Sequence, residues 1–169
     1  MTGNDVSAHD LAAVERQLGR PVRGVVAVAH RCPCGDPDVL KTAPRLPDGT
    51  PFPTIYYLTC PRLTSAIGTL EASGLMKEME ARLESDADLA AHYARAHEHY
   101  LADRAELGEV QEIDGISAGG MPNRVKCLHV LAAHALAAGP GVNPLGDEVL
   151  DAVGQWWNGQ SCAVSSSGH

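Results

Sequence analysis

Between residues 33 and 53 the chain carries Pro33, Gly35, Pro37, Pro44, Pro47, Gly49, Pro51 and Pro53, a density that excludes a long helix or a central strand. Each proline fixes φ and removes a backbone donor. The segment is therefore expected to be a structured loop or an edge ribbon. Before it, Gly24-Val25-Val26-Ala27-Val28-Ala29 is short, β-branched and almost continuously apolar, which suits a buried strand; after it, Thr54-Ile55-Tyr56-Tyr57-Leu58-Thr59 is the clearest strand in the sequence. In the middle, Leu46-Pro47-Asp48-Gly49-Thr50 is a turn, with proline presetting φ and glycine accepting a positive φ.

That turn has a chemical consequence. Pairing Leu46 with Thr50 places Cys60 opposite residue 36, and antiparallel partners lie only about 4.5–5.5 Å apart. Cys32, Cys34 and Cys60 then meet at the base of one hairpin. Cys32-Pro33-Cys34-Gly35, Cys60-Pro61 and Lys126-Cys127-Leu128-His129 each sit at a boundary between regular structure and loop, where rigid stems can hold soft ligands. Four thiols so placed suit Zn²⁺ or an iron–sulfur cluster, and the spacing alone leaves the two open. The metal ligands read from the sequence are Cys32, Cys34, Cys60 and Cys127, with His129 and His134 as alternatives in a three-cysteine, one-histidine site.

The rest reads as helix. Ser7 caps a first helix ended by Gly19, and Pro61 opens a second with Leu63, Ile67 and Leu70 in a buried stripe. Gly74 interrupts it, Leu75 to Glu84 forms a third, and Ser85 or Asp86 caps a long helix stopped by Gly108. Pro122 is expected to open another through Ala138, with Cys127 in its second turn, and Asn143-Pro144 starts the last. The fold class is α+β: a predominantly helical single domain over 1–158 with a small antiparallel β ribbon. Residues 159–169, rich in serine, read as a disordered tail, and Cys162 within it as incidental.

With 13 basic against 21 acidic residues and a formal net charge of -8, broad electrostatic capture of nucleic acid or an anionic membrane is disfavoured. No run approaches membrane-spanning length, and Met1 to Asp5 lacks the basic start of a leader, so a cytoplasmic protein is expected. There, cysteines serve as ligands or reactive thiols more than as disulfides.

Two further constellations compete with the metal reading. In the long helix Tyr93, His97, Tyr100 and Arg104 share a stripe, and His97 and Arg104 are catalytic candidates for moving a proton or holding an anion; a solvated face is the plainer alternative. Ser117-Ala118-Gly119-Gly120-Met121-Pro122, followed by Arg124 and Lys126, resembles an anion cradle of Gly119, Gly120, Arg124 and Lys126. It would make the protein an enzyme on a phosphorylated or other anionic small molecule. In a third reading Trp156-Trp157 docks a protein partner, although closing the core is the commoner use of such residues.

Three strings carry a family resemblance: Arg31-Cys32-Pro33-Cys34-Gly35; Asp48-Gly49-Thr50-Pro51-Phe52-Pro53-Thr54 through Tyr56-Tyr57-Leu58-Thr59-Cys60-Pro61; and Ser117-Ala118-Gly119-Gly120-Met121-Pro122 through Arg124-Val125-Lys126-Cys127-Leu128-His129. Together they resemble an actinobacterial family, domain of unknown function 501, over roughly residues 10 to 155. The resemblance implies an actinobacterial cytoplasmic protein and brings no reaction with it.

Overall fold

The computed structural model describes residues 6–162. Ser7 opens α1 (Ala8–Leu18) with a capping box in which its hydroxyl accepts from Asp10 N and the Asp10 carboxyl accepts from Ser7 N; Gly19 closes the helix at φ 74°. The chain then passes through β1 (Val25–Arg31), β2 (Pro37–Thr42) and β3 (Tyr56–Leu58). They form an antiparallel sheet in the order β1-β2-β3.

β2 corrects the loop or edge-ribbon expectation, since a central strand lies inside the proline-rich segment. Pro37 is tolerated because it is the first residue of the strand. Toward β3 the ladder is regular, Val39, Leu40 and Lys41 facing Leu58, Tyr57 and Tyr56, while toward β1 it is interrupted by bulges, and the pleat sends neighbouring residues to opposite faces. Val39 enters the main core, while Leu40 enters a smaller one with Val14 of α1 and Val28 of β1. The sheet is thus covered on both faces.

The turn forms as expected: Leu46 N donates to Thr50 O at 2.9 Å, and Arg45 bridges Pro51. Nearer the base, Val39 pairs with Leu58 and Thr59 N donates to Asp38 O, one residue off the register set at the tip. The slip falls beside Pro53, which has no N–H to keep the two strands in step.

Five helices follow: α2 (Pro61–Glu71), α3 (Leu75–Ser85), α4 (Ala87–Leu107), α5 (Leu128–Ala138) and α6 (Pro144–Val153). Asp86 and Asn143 cap α4 and α6 by accepting from Leu89 N and Gly146 N. The molecule is α+β, rich in helix, with a small antiparallel sheet. Among the described residues no helix is long and apolar enough to cross a membrane.

α5 begins at Leu128, not at Pro122. The intervening segment doubles back on itself, with Arg124 N donating to Gly120 O, Lys126 N to Gly119 O and Val125 N to Glu80 Oε2. Lys126 N, which a helix from Pro122 would bond to Pro122 O, goes to Gly119 O instead, and Cys127 becomes the residue that precedes α5. At the other side of α5, Gly146 lets α6 cross at close range: a Cβ there would stand 2.1 Å from Leu131 O.

Candidate metal centre

Arg31, the last residue of β1, grips the Asp10 carboxylate at 2.8 and 2.9 Å, and its guanidinium holds that carboxyl down to about 2. Cys32 therefore leaves the sheet from a fixed stem. A tight knuckle follows: Cys34 N donates to Cys32 Sγ at 3.4 Å, Gly35 N to Cys32 O at 2.8 Å, and Gly35 takes φ 100°, a conformation that favours glycine. An N–H aimed at sulfur stabilises a thiolate ligand.

Cys60 joins from β3, in the N-cap position of α2. The third sulfur comes from the far end of the described chain. Trp156 and Trp157, with ring centroids 4.8 Å apart, pack against the main core beyond α6, and Ser161 Oγ donates to Asp36 Oδ2. Cys162 is thereby turned inward.

The sulfurs of Cys32, Cys60 and Cys162 lie within 4.8 Å of one another, and the three residues are 3%, 0% and 2% exposed. Cys32 and Cys162 are 3.8 Å apart, too far for a disulfide, whose sulfurs lie about 2.05 Å apart. The half-buried Cys34 packs against the same core, with its backbone N–H at the Cys32 sulfur.

Burial pushes the Cys32 thiol up to about 11 and raises Cys60 and Cys162 as well. For Cys34 burial acts in the same sense but is outweighed by hydrogen bonds from the backbone of Cys162 and Asp36 and by the neighbouring thiols, so its pKa falls. Asp38 adds to the local demand for positive charge. It is fully buried, its Oδ1 lies 2.8 Å from His30 Nδ1, its Oδ2 has no hydrogen-bond partner, and its charge raises Cys60 further. A cation among the sulfurs would offset these terms together.

Of the four sulfur ligands read from the sequence, the structure brings Cys32 and Cys60 together, leaves Cys34 two residues along with its backbone N–H on the Cys32 sulfur, and places Cys127 elsewhere. Cys127 Sγ lies 4.0 Å from His129 Nδ1, in a separate group with Glu71. The expected approach depended on a helix starting at Pro122, and that helix does not form. Cys162, set aside as a tail residue, stands in its stead; residues 163–169 of the expected tail lie outside the described residues. The sequence signal for Cys162 is the Trp156-Trp157 pair, whose apolar bulk returns the chain to the core.

His134 is a core residue. Asn143 Nδ2 donates to its Nδ1 at 3.2 Å, which leaves Nε2–H to donate to His99 Nδ1 at 3.0 Å. Burial, followed by the charge of His99, pushes its pKa down to about 4. His129 lies on the groove beside Cys127, and its pKa is pushed up to about 9, first by the Cys127 thiol and then by Thr64 O and Glu71, against burial.

His97 and Arg104, the catalytic candidates, are each hydrogen-bonded within the fold. His97 Nδ1 lies 2.7 Å from Ser117 Oγ, and Arg104 donates to Pro53 O and Ile113 O at 3.1 and 2.8 Å. Both are buried. Tyr93 donates to Arg124 O and Tyr100 accepts from Ile55 N, each at 2.8 Å. The glycine loop does meet this stripe, but its inner space is filled: a Cβ on Gly120 would stand 2.7 Å from Arg124 O, and one on Gly119 3.0 Å from Val130. Arg124 Nε pairs with Glu80 at 3.0 Å, and Lys126 is exposed.

An apolar groove of about 310 Å³ opens beside Cys127, lined by Phe52, Tyr57, Leu58, Val130, Cys127 and His129 among others. A family model described as "Protein of unknown function (DUF501)" matches residues 28–151. No curated protein and no solved structure matches the chain.

Proposed function

The chain belongs to the DUF501 family, and we propose that it holds one mononuclear metal ion, zinc in preference to an iron–sulfur cluster, through Cys32, Cys34, Cys60 and Cys162. The observation that carries this reading is the convergence of three buried sulfurs from β1, β3 and the segment after α6, two of them 3.8 Å apart. Four sulfurs on arms of about 2.3 Å around one ion form a tetrahedron with edges of about 3.8 Å. In a cubane cluster each cysteine binds a different iron, which spreads the sulfurs further apart.

A closed four-thiolate site has no open position for substrate. Its role is structural: it fastens the segment carrying Cys162 to the ends of two strands. Burial also keeps oxidants from three of the thiols, which favours that role over redox sensing, and a reducing cytoplasm suits it. Binding releases protons, because the ligands are thiolates.

The test is elemental analysis of protein purified without oxygen, with an absorption spectrum. One zinc per four-thiol site and no visible band is expected, with loss of that zinc in Cys162→Ser and retention in Cys127→Ser. Protein without stoichiometric zinc or iron refutes the site, and a broad iron–sulfur band near visible wavelengths refutes the choice of zinc.

A further inference from the structure

Glu71, Cys127 and His129 form a second group whose ligand atoms all lie within 4.8 Å of one another. They come from two rigid stems: Glu71 ends α2, and Cys127 and His129 flank the start of α5. Glu71 and His129 are held by the backbone. His129 Nε2 lies 3.1 Å from Thr64 O, and Glu71 Oε2 accepts from Leu128 N at 2.8 Å.

The histidine contact determines what the centre of the group requires. A carbonyl only accepts, so Nε2 carries the proton, and in the neutral ring Nδ1 is a lone pair. That lone pair faces Glu71 Oε2 at 3.1 Å and Cys127 Sγ at 4.0 Å. With Nδ1 unprotonated three electron-rich atoms converge, and either a proton or a metal ion can stand between them. A proton on Nδ1 serves the carboxylate well and leaves the sulfur at long range. A metal ion uses all three donors, while Nε2–H bound to a carbonyl is the usual way a ligating histidine is oriented.

A tetrahedral ion would set nitrogen–oxygen and nitrogen–sulfur edges of about 3.4 and 3.6 Å. The observed separations differ from these by no more than about 0.4 Å, within reach of a small side-chain adjustment. With three protein donors the fourth position is open, and Cys127 and His129 both line the apolar groove of about 310 Å³.

We propose that Glu71, Cys127 and His129 bind a second divalent ion of the zinc class, whose open position faces this groove and accepts an oxygen donor carried on a small apolar molecule. Three protein ligands with one open position are the pattern of catalytic rather than structural zinc. A water or carbonyl oxygen bound there would be polarised by the ion, and Phe52, Leu58 and Val130 would hold the apolar body.

The site is independent of the four-thiol centre, and the experiment keeps them apart. Purified full-length chain is stripped with a chelator and titrated with Co²⁺ without oxygen, in wild type, Cys127→Ser, His129→Asn and Cys162→Ser. Two equivalents are expected in wild type. Cys127→Ser and His129→Asn should each lose one and keep the strong sulfur-to-cobalt absorption of the four-thiol centre, whereas Cys162→Ser should lose that absorption and keep a weaker one-thiolate spectrum. A short alkyl hydroxamate should then perturb only the weaker bands. Circular dichroism matching wild type guards against loss of fold. The proposal is overturned if wild type and His129→Asn bind the same number of equivalents. It is also overturned if Cys127 in Zn²⁺-saturated wild type is alkylated by iodoacetamide as fast as in stripped protein, which would mark a thiolate–imidazolium pair instead. Failure of the Cys162→Ser arm alone would count against the four-thiol centre and leave the groove site standing.

Discussion

The two cysteine groups differ in the company each thiol keeps. Around Cys32, Cys60 and Cys162 the donors are all sulfur and nearly inaccessible to solvent; around Cys127 they are sulfur, nitrogen and oxygen, half-exposed, beside a groove. With Cys34 as the proposed fourth donor, the first arrangement would be satisfied completely from within the chain. The second would not. A closed set of soft ligands stabilises a fold, whereas a mixed set that stops at three leaves a coordination position for something else.

The sharpest way to break this contrast is to remove metal from each site in turn. Chelation of the proposed four-thiol centre should lower the unfolding free energy by about 5 kcal/mol or more, read as a fall in denaturation midpoint that Cys162→Ser reproduces and chelator does not deepen. An equal loss from Cys127→Ser would erase the distinction between the two sites.

Gly146→Ala tests the scaffold they share. α5 begins beside Cys127, and α6 leads to Cys162, so a methyl group driven 2.1 Å from Leu131 O should cost about 3 kcal/mol and weaken metal retention at both sites. A thermal melt unchanged from wild type would show that the crossing tolerates more than its geometry implies.

His134 and His129 lie on the same helix and shift in opposite directions. For His134 the folded value of about 4 lies below the ordinary 6.5, so the unfolded chain binds more protons between those values. Stability is present above pH 6.5 and falls as pH drops through this window, by up to about 3 kcal/mol at about 1.4 kcal/mol per unit. His134→Gln should flatten that part of a urea midpoint against pH; an unchanged slope would assign the dependence to other groups.

The smallest effect is expected at the groove. In metal-free protein His129→Asn should change stability by only about 1 kcal/mol, because the ring is partly exposed and its partners can turn to water. A loss several times larger in a urea melt would make His129 a structural residue and weaken the contrast.

Much of the first site is visible in the sequence because its causes are local. The Pro47-Asp48-Gly49 turn and the flanking apolar runs bring Cys32 and Cys60 together, even though Pro53 permits a one-residue slip. Ser7, Pro61, Asp86 and Asn143 announce their helices through hydrogen bonds or dihedral limits a few residues long. β2 was hidden because proline is forbidden inside a ladder but allowed at its first position. The place of Cys127 is not legible because Gly119 O takes the Lys126 N–H that a helix opened by Pro122 would need. Cys162 is not legible because Cys32 lies 130 residues away, and nothing in a serine-rich stretch encodes that distance.

That separation also bears on the unfolded chain. A metal bridge between Cys32 and Cys162 would close a loop of 130 residues, and by analogy with a covalent crosslink such a closure removes disorder worth about 5 kcal/mol from the denatured ensemble. Its grip would come as much from what the unfolded chain loses as from what the folded one gains. It would also come late, since the fourth sulfur reaches the other three only after every helix between them has been synthesised.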